Sequence, residues 1–515
     1  MSRVNGVDRR RFLQWGAAAA TATAGATALS GCGPETNDGP GTSAAAGRLL
    51  RVGASDATGS TTLDPRHTGF GASYIALYHL YDQLMYLKDG GYELGLAQSV
   101  QPNADATEWT VRIHDRAVFH DGSPVRAADV AYSLRTLAGP SSTRATNFAD
   151  LDPDRLKVVD AHTLEVGLRR PRGDFRESVL AVFSPVFPEG TGDKDFARGI
   201  GSGPYRLEGN DGKNLRLTRN TSYWGGAAGF ERIELVLIAD PAARLNALKS
   251  GQIDYAFGIS ATGATAERGN HAIRVRRGGT ANSNALSFAM NQNLAPFDNP
   301  DVRRAVRLAA DRDALVNRVL LGLGSRGDDV VGKGLPGYAV AAAGRRRDTA
   351  EARRLFARAG VDSLTLHAAD TVPGFVAAAR LLGQQLKEAG VELKVEQVPA
   401  DTYYADLKSL GRIPFQTFYY TNRPAAVHLS ATTVKGAFFN VTGLGEPHWK
   451  RLAQAQAVVD DGARQAAFAA VQRDLFDNGG DLLWGFREQL DASVTGLTGV
   501  WSSQSIPVFT RARVA

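Results

Sequence analysis

In TEWTVRIHD, residues 107 to 115, Trp109, Val111 and Ile113 alternate with Thr110 and Arg112. A period of two puts the apolar side chains on one face, which predicts a half-buried strand. FHDGSPV follows, and its Asp121-Gly122 pair marks a turn, because an Asp side chain bonds nearby backbone and glycine accepts positive φ. AADVAYSLRTLAG then spaces Val130, Leu134 and Leu137 by four and three, with Gly139 as the stop. That spacing predicts a helix with one buried stripe.

Farther along, NPDVRRAVRLAADRDALVNRVLLG predicts one continuous helix. Asn299 caps it, Pro300 takes the first position, and Gly322 ends it. Val302, Val306, Ala309, Val316 and Leu320 share a face that Asp313 interrupts once. Asp348 and Glu351 have the spacing of a capping box for a helix ending at Gly360. SLTLHA, a helix from about Pro373 to Ala389, and VELKVEQV form a strand, helix, strand unit long enough for a parallel crossover. The class is α/β, with antiparallel, hairpin-rich β-structure between residues about 95 and 240.

Composition adds size. The 515 residues are 43% hydrophobic and 22% charged, ordinary globular material with room for two or three packed lobes. The formal charge is +6, and half of that excess sits in the first 31 residues, where Arg3, Arg9, Arg10 and Arg11 face only Asp8. The remainder is spread thinly, which argues against a nucleic-acid partner.

The first 31 residues read as an address. Arg9 and Arg10 precede Phe12 and Leu13, and an Ala-rich run from Ala17 to Leu29 follows, too short for a transmembrane helix. The arginine pair resembles a twin-arginine export signal, and LSGC, ending at Cys32, resembles a bacterial lipobox. The expectation is a signal over 1–31, Cys32 as the lipidated first mature residue, and an extracytoplasmic protein anchored to the cell membrane. Residues 32–47, rich in Gly, Pro, Ser and Ala, read as a flexible tether reaching about 20 Å. Cys32 is the only cysteine, so no thiol remains for disulfide, metal or catalysis.

A search for catalysis returns little. GLGSRG, Gly322 to Gly327, fits G-x-G-x-x-G but follows a predicted helix, whereas a dinucleotide site needs the glycines between strand and helix. GIGSG lacks the order of a nucleophile elbow. His114, His120, Asp115 and Asp121 fall around the predicted turn without ligand spacing. Asp328-Asp329 and Asp460-Asp461 read as solvated carboxylates, and no nucleophile, base and orienting group come together. No enzyme activity, cofactor or metal is expected.

Taken in order, the segments resemble the family 5 solute-binding proteins of ABC transporters, the group with oligopeptide, dipeptide and nickel binders. The likeness is carried by EWTVRIHDRAVFHDGSPVRAADVAYSL and by TLDP at Thr62, GSGPYRL at Gly201, NTSYWGG at Asn220 and ARLNALKSGQIDYA at Ala243. It continues through SFAMNQNLAPFDNPDVRRAVRLAADRDAL at Ser287, ARRLFARAGV, and the stretch from QQLKEAGVELKVEQVPADTYYADL to about Leu429. The resemblance implies a bilobal, type II periplasmic-binding-protein-like fold with an extra subdomain in the first lobe. The motif order puts lobe I at 48–290 plus 490–515, its insert at about 75–199, and lobe II at 291–489. It further implies a monomeric receptor that captures a small peptide-like solute between closing lobes and hands it to ABC permease subunits. The alternative is a sensor or scavenger of the same fold for a non-peptide solute such as an oligosaccharide, metabolite or metal chelate.

The resemblance also points to a site. In FYYTNRP, Tyr419, Tyr420, Asn422 and Arg423 fall where peptide-binding relatives carry an aromatic and a carboxylate for the solute's ammonium. Here an amide replaces the acid, Ala425 replaces a second Asp, and an arginine stands beside them. An ammonium without its partner loses about 2–5 kcal/mol, which favours a neutral or anionic solute. The two tyrosines can equally be core residues. Phe288 and Asn291 on the first hinge crossing, and Trp484 and Phe486 near the return, complete the candidates, with core packing the competing reading for each.

Overall fold

The burial of Glu108–Ile113 follows the predicted alternation, with Trp109, Val111 and Ile113 inside and Thr110 and Arg112 outside. This strand belongs to a four-stranded antiparallel sheet in the order Ala97–Pro102, Glu108–Ile113, Thr163–Leu168, Leu151–Val158. The helix Ala127–Ala138 buries Val130, Leu134 and Leu137, which join Trp109 and Val111 in one core cluster. The computed structural model describes residues 49–56, 61–67, 71–339, 344–399, 403, 407–434, 437 and 439–514. The export signal, Cys32 and the tether lie outside them.

Two larger sheets carry the rest. The first has seven strands, with Leu49–Ala54 running parallel to Arg232–Leu237 and to Tyr255–Ala256, and its far strands are Leu490–Val494 and Ile273–Arg277. The second has six strands in the order Gly324–Arg326, Asp481–Glu488, Ser283–Met290, Phe415–Thr421, Ser363–Ala368, Glu392–Gln397. Its parallel pair, Ser363–Ala368 and Glu392–Gln397, is joined by the helix Phe375–Glu388, the expected crossover unit. Asp348 caps the helix Thr349–Ala359 by accepting from the Glu351 N–H, and Gly360 closes it in the left-handed conformation.

The helix expected from Asn299 to Gly322 is two helices, Pro300–Ala309 and Arg312–Val319. Ala310 is extended (φ −73°, ψ 124°), and Asp311 accepts from the Ala314 N–H as a new N-cap. A carboxylate able to satisfy free helix-end donors makes that break favourable.

The chain passes between the large sheets side by side at two places. Arg277 ends a strand of the seven-stranded sheet and Ser283 begins one of the six-stranded sheet. Asp481–Glu488 and Leu490–Val494 make the return through Gln489. The crossings hold each other, with the Gly278 N–H donating to the Gln489 carbonyl and the Gln489 N–H to that of Asn282, both at 2.9 Å. Among the described residues no helix is long and apolar enough to cross a membrane.

Candidate functional site

Phe415–Thr421 pairs antiparallel with Ser283–Met290, so that Tyr419 faces Leu286 and Tyr420 faces Ala285 in register. Strand alternation separates the rings. Phe418 and Tyr420 sink into one core cluster, while Tyr419 is half-buried against the cluster on the opposite face. Phe418 and Tyr420 lie 5.0 Å apart between ring centroids, and the Tyr420 hydroxyl donates to Asp481 Oδ1 at 3.3 Å.

Asn422 is buried, and its amide is fully engaged with backbone. Its Oδ1 accepts from the Gly332 N–H at 2.8 Å, and its Nδ2 donates to the carbonyls of Thr280 at 2.7 Å and Lys333 at 3.0 Å. It ties the first crossing to the loop around Gly332 and has no N–H left for a solute. The backbone around Gly332 must pass close, since a Cβ there would lie 3.2 Å from the Arg423 carbonyl, and φ is +107°.

The hinge candidates sit in the interior. Phe288 and Trp484 have no exposed surface and stack on each other with centroids 6.1 Å apart. Phe486 is also fully buried, on the opposite side of the sheet with Tyr420. Asn291 is 2% exposed, donating to the Gly411 carbonyl and accepting from the Asn293 N–H.

Arg423 differs from these. It is half-buried, its Nε is buried with no hydrogen-bond partner, and no ion pair involves it among the described residues. Burial holds its guanidinium below the ordinary arginine pKa; the positive charge of Arg144 adds to that depression, while Tyr74, Tyr78 and Tyr419 act in the opposite sense. Tyr74 and Tyr78 lie one turn apart on the helix Gly71–Leu80, with centroids 6.5 Å apart. Arg144 lies over the Phe183 ring at 3.8 Å and donates to the Tyr74 hydroxyl at 3.1 Å and the Pro65 carbonyl at 2.8 Å. Tyr74, Tyr78 and Arg144 escaped the sequence reading, because nothing in the local pattern separates them from core and loop residues.

A second contact zone joins the stretch after Thr163–Leu168 to the helices Glu446–Ala457 and Asp461–Asn478. The Gly173 N–H donates to the Gln456 carbonyl at 2.7 Å and Arg170 donates to Gln456 Oε1 at 2.8 Å. Arg176 pairs with Asp461 at 2.8 Å, and Arg464 pairs with Glu177 at 3.2 Å. Arg172 is paired with both Asp150 and Asp174 behind this seam.

Next to Tyr420 lies a small polar cavity of about 20 Å³, lined by Tyr420, His428, Asp329 and Asp481 among others. Burial pushes the Asp481 carboxyl up to about 6, against hydrogen bonds from Ser287 and Tyr420. Burial, reinforced by the charge of Arg423, takes His428 down to about 3. The cavity holds no more than a water molecule or so. Among the described residues no group of three or more His, Cys, Asp or Glu could hold a metal ion. His120 is held by backbone, its Nε2 donating to the Gly203 carbonyl at 3.1 Å and its Nδ1 accepting from the Gly201 N–H at 3.2 Å, and GLGSRG contributes the edge strand Gly324–Arg326.

Residues 91–424 match the family model for bacterial extracellular solute-binding proteins, family 5. The probable D,D-dipeptide-binding periplasmic protein DdpA of Escherichia coli K12 is 28% identical over 359 residues, covering 65% of this chain and 68% of that protein. The glutathione-binding protein GsiB of the same strain is 26% identical over 362 residues, covering 68% and 70%. The crystal structure of NikA from Brucella suis, in complex with Fe(III)-EDTA, superposes with a TM-score of 0.78 at 20% identity, covering 91% of this chain and all of that one.

Proposed function

The chain belongs to the family 5 bacterial extracellular solute-binding proteins, and from that premise we propose that it is the receptor of an ABC importer. It captures a peptide or peptide-like solute between two closing lobes and delivers it to membrane permease subunits. The observation that carries this is the match over residues 91–424, a span containing both the first crossing and FYYTNRP. Relatives described as binding a D,D-dipeptide and glutathione support the peptide-like class.

In this reading the lobes divide at the crossings near 278–282 and at Gln489, earlier than the 290/291 boundary that the motif order suggests; the pairing of Ser283–Met290 on both sides within the six-stranded sheet supports the earlier division. Lobe I is then the seven-stranded sheet with the four-stranded subdomain, and lobe II the six-stranded sheet with its helices. Closure buries the solute, and the solute's greater affinity for the closed form drives it. Tyr419 and Arg423 line the cleft from lobe II. The protein is a monomer held at the membrane by lipid on Cys32, and it performs no chemistry on what it binds.

Small-angle scattering and tryptophan fluorescence, on the purified protein titrated with di- and tripeptides and glutathione, test the receptor role. A saturable compaction with at least one of them is the expected result. No compaction with any of them, together with unchanged uptake of these peptides in a strain lacking the protein, would overturn it.

A further inference from the structure

Gln456 has no exposed surface, although it lies at the end of the helix Glu446–Ala457 and an amide is costly to bury unless its groups are bonded. Its bonds go to two other parts of the fold. The backbone carbonyl accepts from the Gly173 N–H at 2.7 Å, and Oε1 accepts from Arg170 at 2.8 Å. Nε2 donates to Ser430 Oγ at 2.9 Å and reaches Asp174 Oδ2 at 3.5 Å. Arg170, Gly173 and Asp174 follow the strand Thr163–Leu168 of the four-stranded sheet. Ser430 lies on the helix Ala425–Thr432, which begins directly after FYYTNRP and packs against the segment Arg176–Leu180. The same helix sets the His428 ring 4.9 Å from that of Tyr420.

Each partner of Gln456 is also held on its own side. Arg170 makes two bonds to Asp150, both at 2.7 Å, Asp174 is paired with Arg172, and Ser430 donates to the Ala426 carbonyl at 2.8 Å. Removing the Gln456 side chain therefore leaves both sides internally bonded and takes away the bridge between them. The bond from Arg170 is charge-assisted, the stronger kind. The four-stranded sheet is inserted in the chain between Leu49–Ala54 and Tyr205–Asn210 of the seven-stranded sheet, whereas the helix Ala425–Thr432 follows a strand of the six-stranded sheet. The bridge is thus an attachment between the large sheets beyond the two crossings, and it restricts rotation about them. Resting on the receptor reading above, we propose that Gln456 is a positioning residue of a latch. Through it the four-stranded subdomain holds lobe II in the closed form, and a residue with no exposed surface sets solute affinity without touching the solute.

The test uses the full chain in contrast-matched detergent, first without any solute. Small-angle scattering and hydrogen exchange compare the wild type with Gln456→Leu, Arg170→Ala and the double variant. Gln456→Leu should have the larger radius of gyration and an exchange rate at Gly173 about tenfold higher, the weight of one charge-assisted bond. Exchange in the strand Glu108–Ile113 should be unchanged. Arg170→Ala loses the same bond from the other side, so the double variant should open no further than Gln456→Leu alone. Equal radii and equal exchange at Gly173 in wild type and Gln456→Leu overturn the proposal. Faster exchange throughout the four-stranded sheet, or an additive double variant, also overturns it, since either marks a residue that packs and does not latch. If circular dichroism shows that Gln456→Leu does not fold, Arg170→Ala decides alone. Titration with glutathione and the di- and tripeptides separates the latch from the receptor reading. Any of them that compacts the wild type should bind Gln456→Leu about tenfold more weakly, and equal affinity overturns the latch while leaving the receptor standing. Opening in Gln456→Leu, with no peptide compacting the wild type and peptide uptake unchanged without the protein, does the reverse.

Discussion

Asn422 uses its carbonyl and both N–H groups on three backbone partners. Asn422→Ala leaves the buried Gly332 N–H and the Lys333 carbonyl without that partner, at about 1 kcal/mol or more each, while the Thr280 carbonyl keeps the Ser283 hydroxyl at 2.6 Å. The variant should lose about 2 kcal/mol in urea unfolding while its solute preference is retained. Asp481 gives a pH-dependent counterpart. Its carboxyl is raised from 3.8 to about 6 by burial, so the folded state holds this proton more tightly than the unfolded state does. Ionisation therefore removes stability as pH rises from about 4 to 6, and the full loss, about 3 kcal/mol, is present above that window. Asp481→Asn does not titrate, so its stability relative to wild type should improve by roughly 2–3 kcal/mol between pH 3.5 and 7.5, read from urea curves at each pH. At this scale the sequence shows residue types and not partners. Asn422 looks like a missing acid until its contacts with Thr280 and Lys333 are known. Arg423 is visible as a charge beside rings, but nothing in the sequence shows that its Nε is buried without a hydrogen-bond partner.

Elements were more legible, because a buried face imposes a period. The strand Glu108–Ile113, the helix Ala127–Ala138 and the crossover through Phe375–Glu388 all follow patterns that burial against one neighbour requires. The failure at 299–322 has the same origin. Val302, Val306 and Ala309 and then Val316 can be laid on one stripe, so hydrophobic period alone gives no sign of a break. What breaks the helix is a polar group: Asp311 caps Arg312–Val319, and Arg312 then reaches Asp329 with both side chains fully buried. Asp311→Ala should cost about 1 kcal/mol, the usual loss for an N-cap, measured by chemical denaturation. A gain in stability would mean that the continuous helix is the better arrangement and that the cap does not set the break.

At the scale of the molecule, two narrow crossings join the large sheets, and one polar seam ties the stretch after Thr163–Leu168 of the four-stranded sheet to the helices Glu446–Ala457 and Asp461–Asn478. The crossings are single strands of chain bonded to one another around Gly278, Asn282 and Gln489, which leaves rotation about them inexpensive. The seam opposes it. At its centre a Cβ on Gly173 would lie 2.0 Å from the Val458 carbonyl oxygen and 2.8 Å from its carbon, so a side chain of any size forces the two segments apart. Around that contact the Arg176–Asp461 and Arg464–Glu177 pairs reach across. Arg172, paired behind them with Asp150 and Asp174, holds the segment in shape. Gly173→Ala should therefore act on closure and leave each sheet intact. The expected outcome is a larger radius of gyration than wild type under the same conditions, and faster hydrogen exchange at residue 173. Solute affinity should fall about tenfold or more, because a less populated closed form lowers apparent affinity in proportion. Equal scattering profiles with lowered melting temperature would instead make Gly173 a local packing residue with no part in closure.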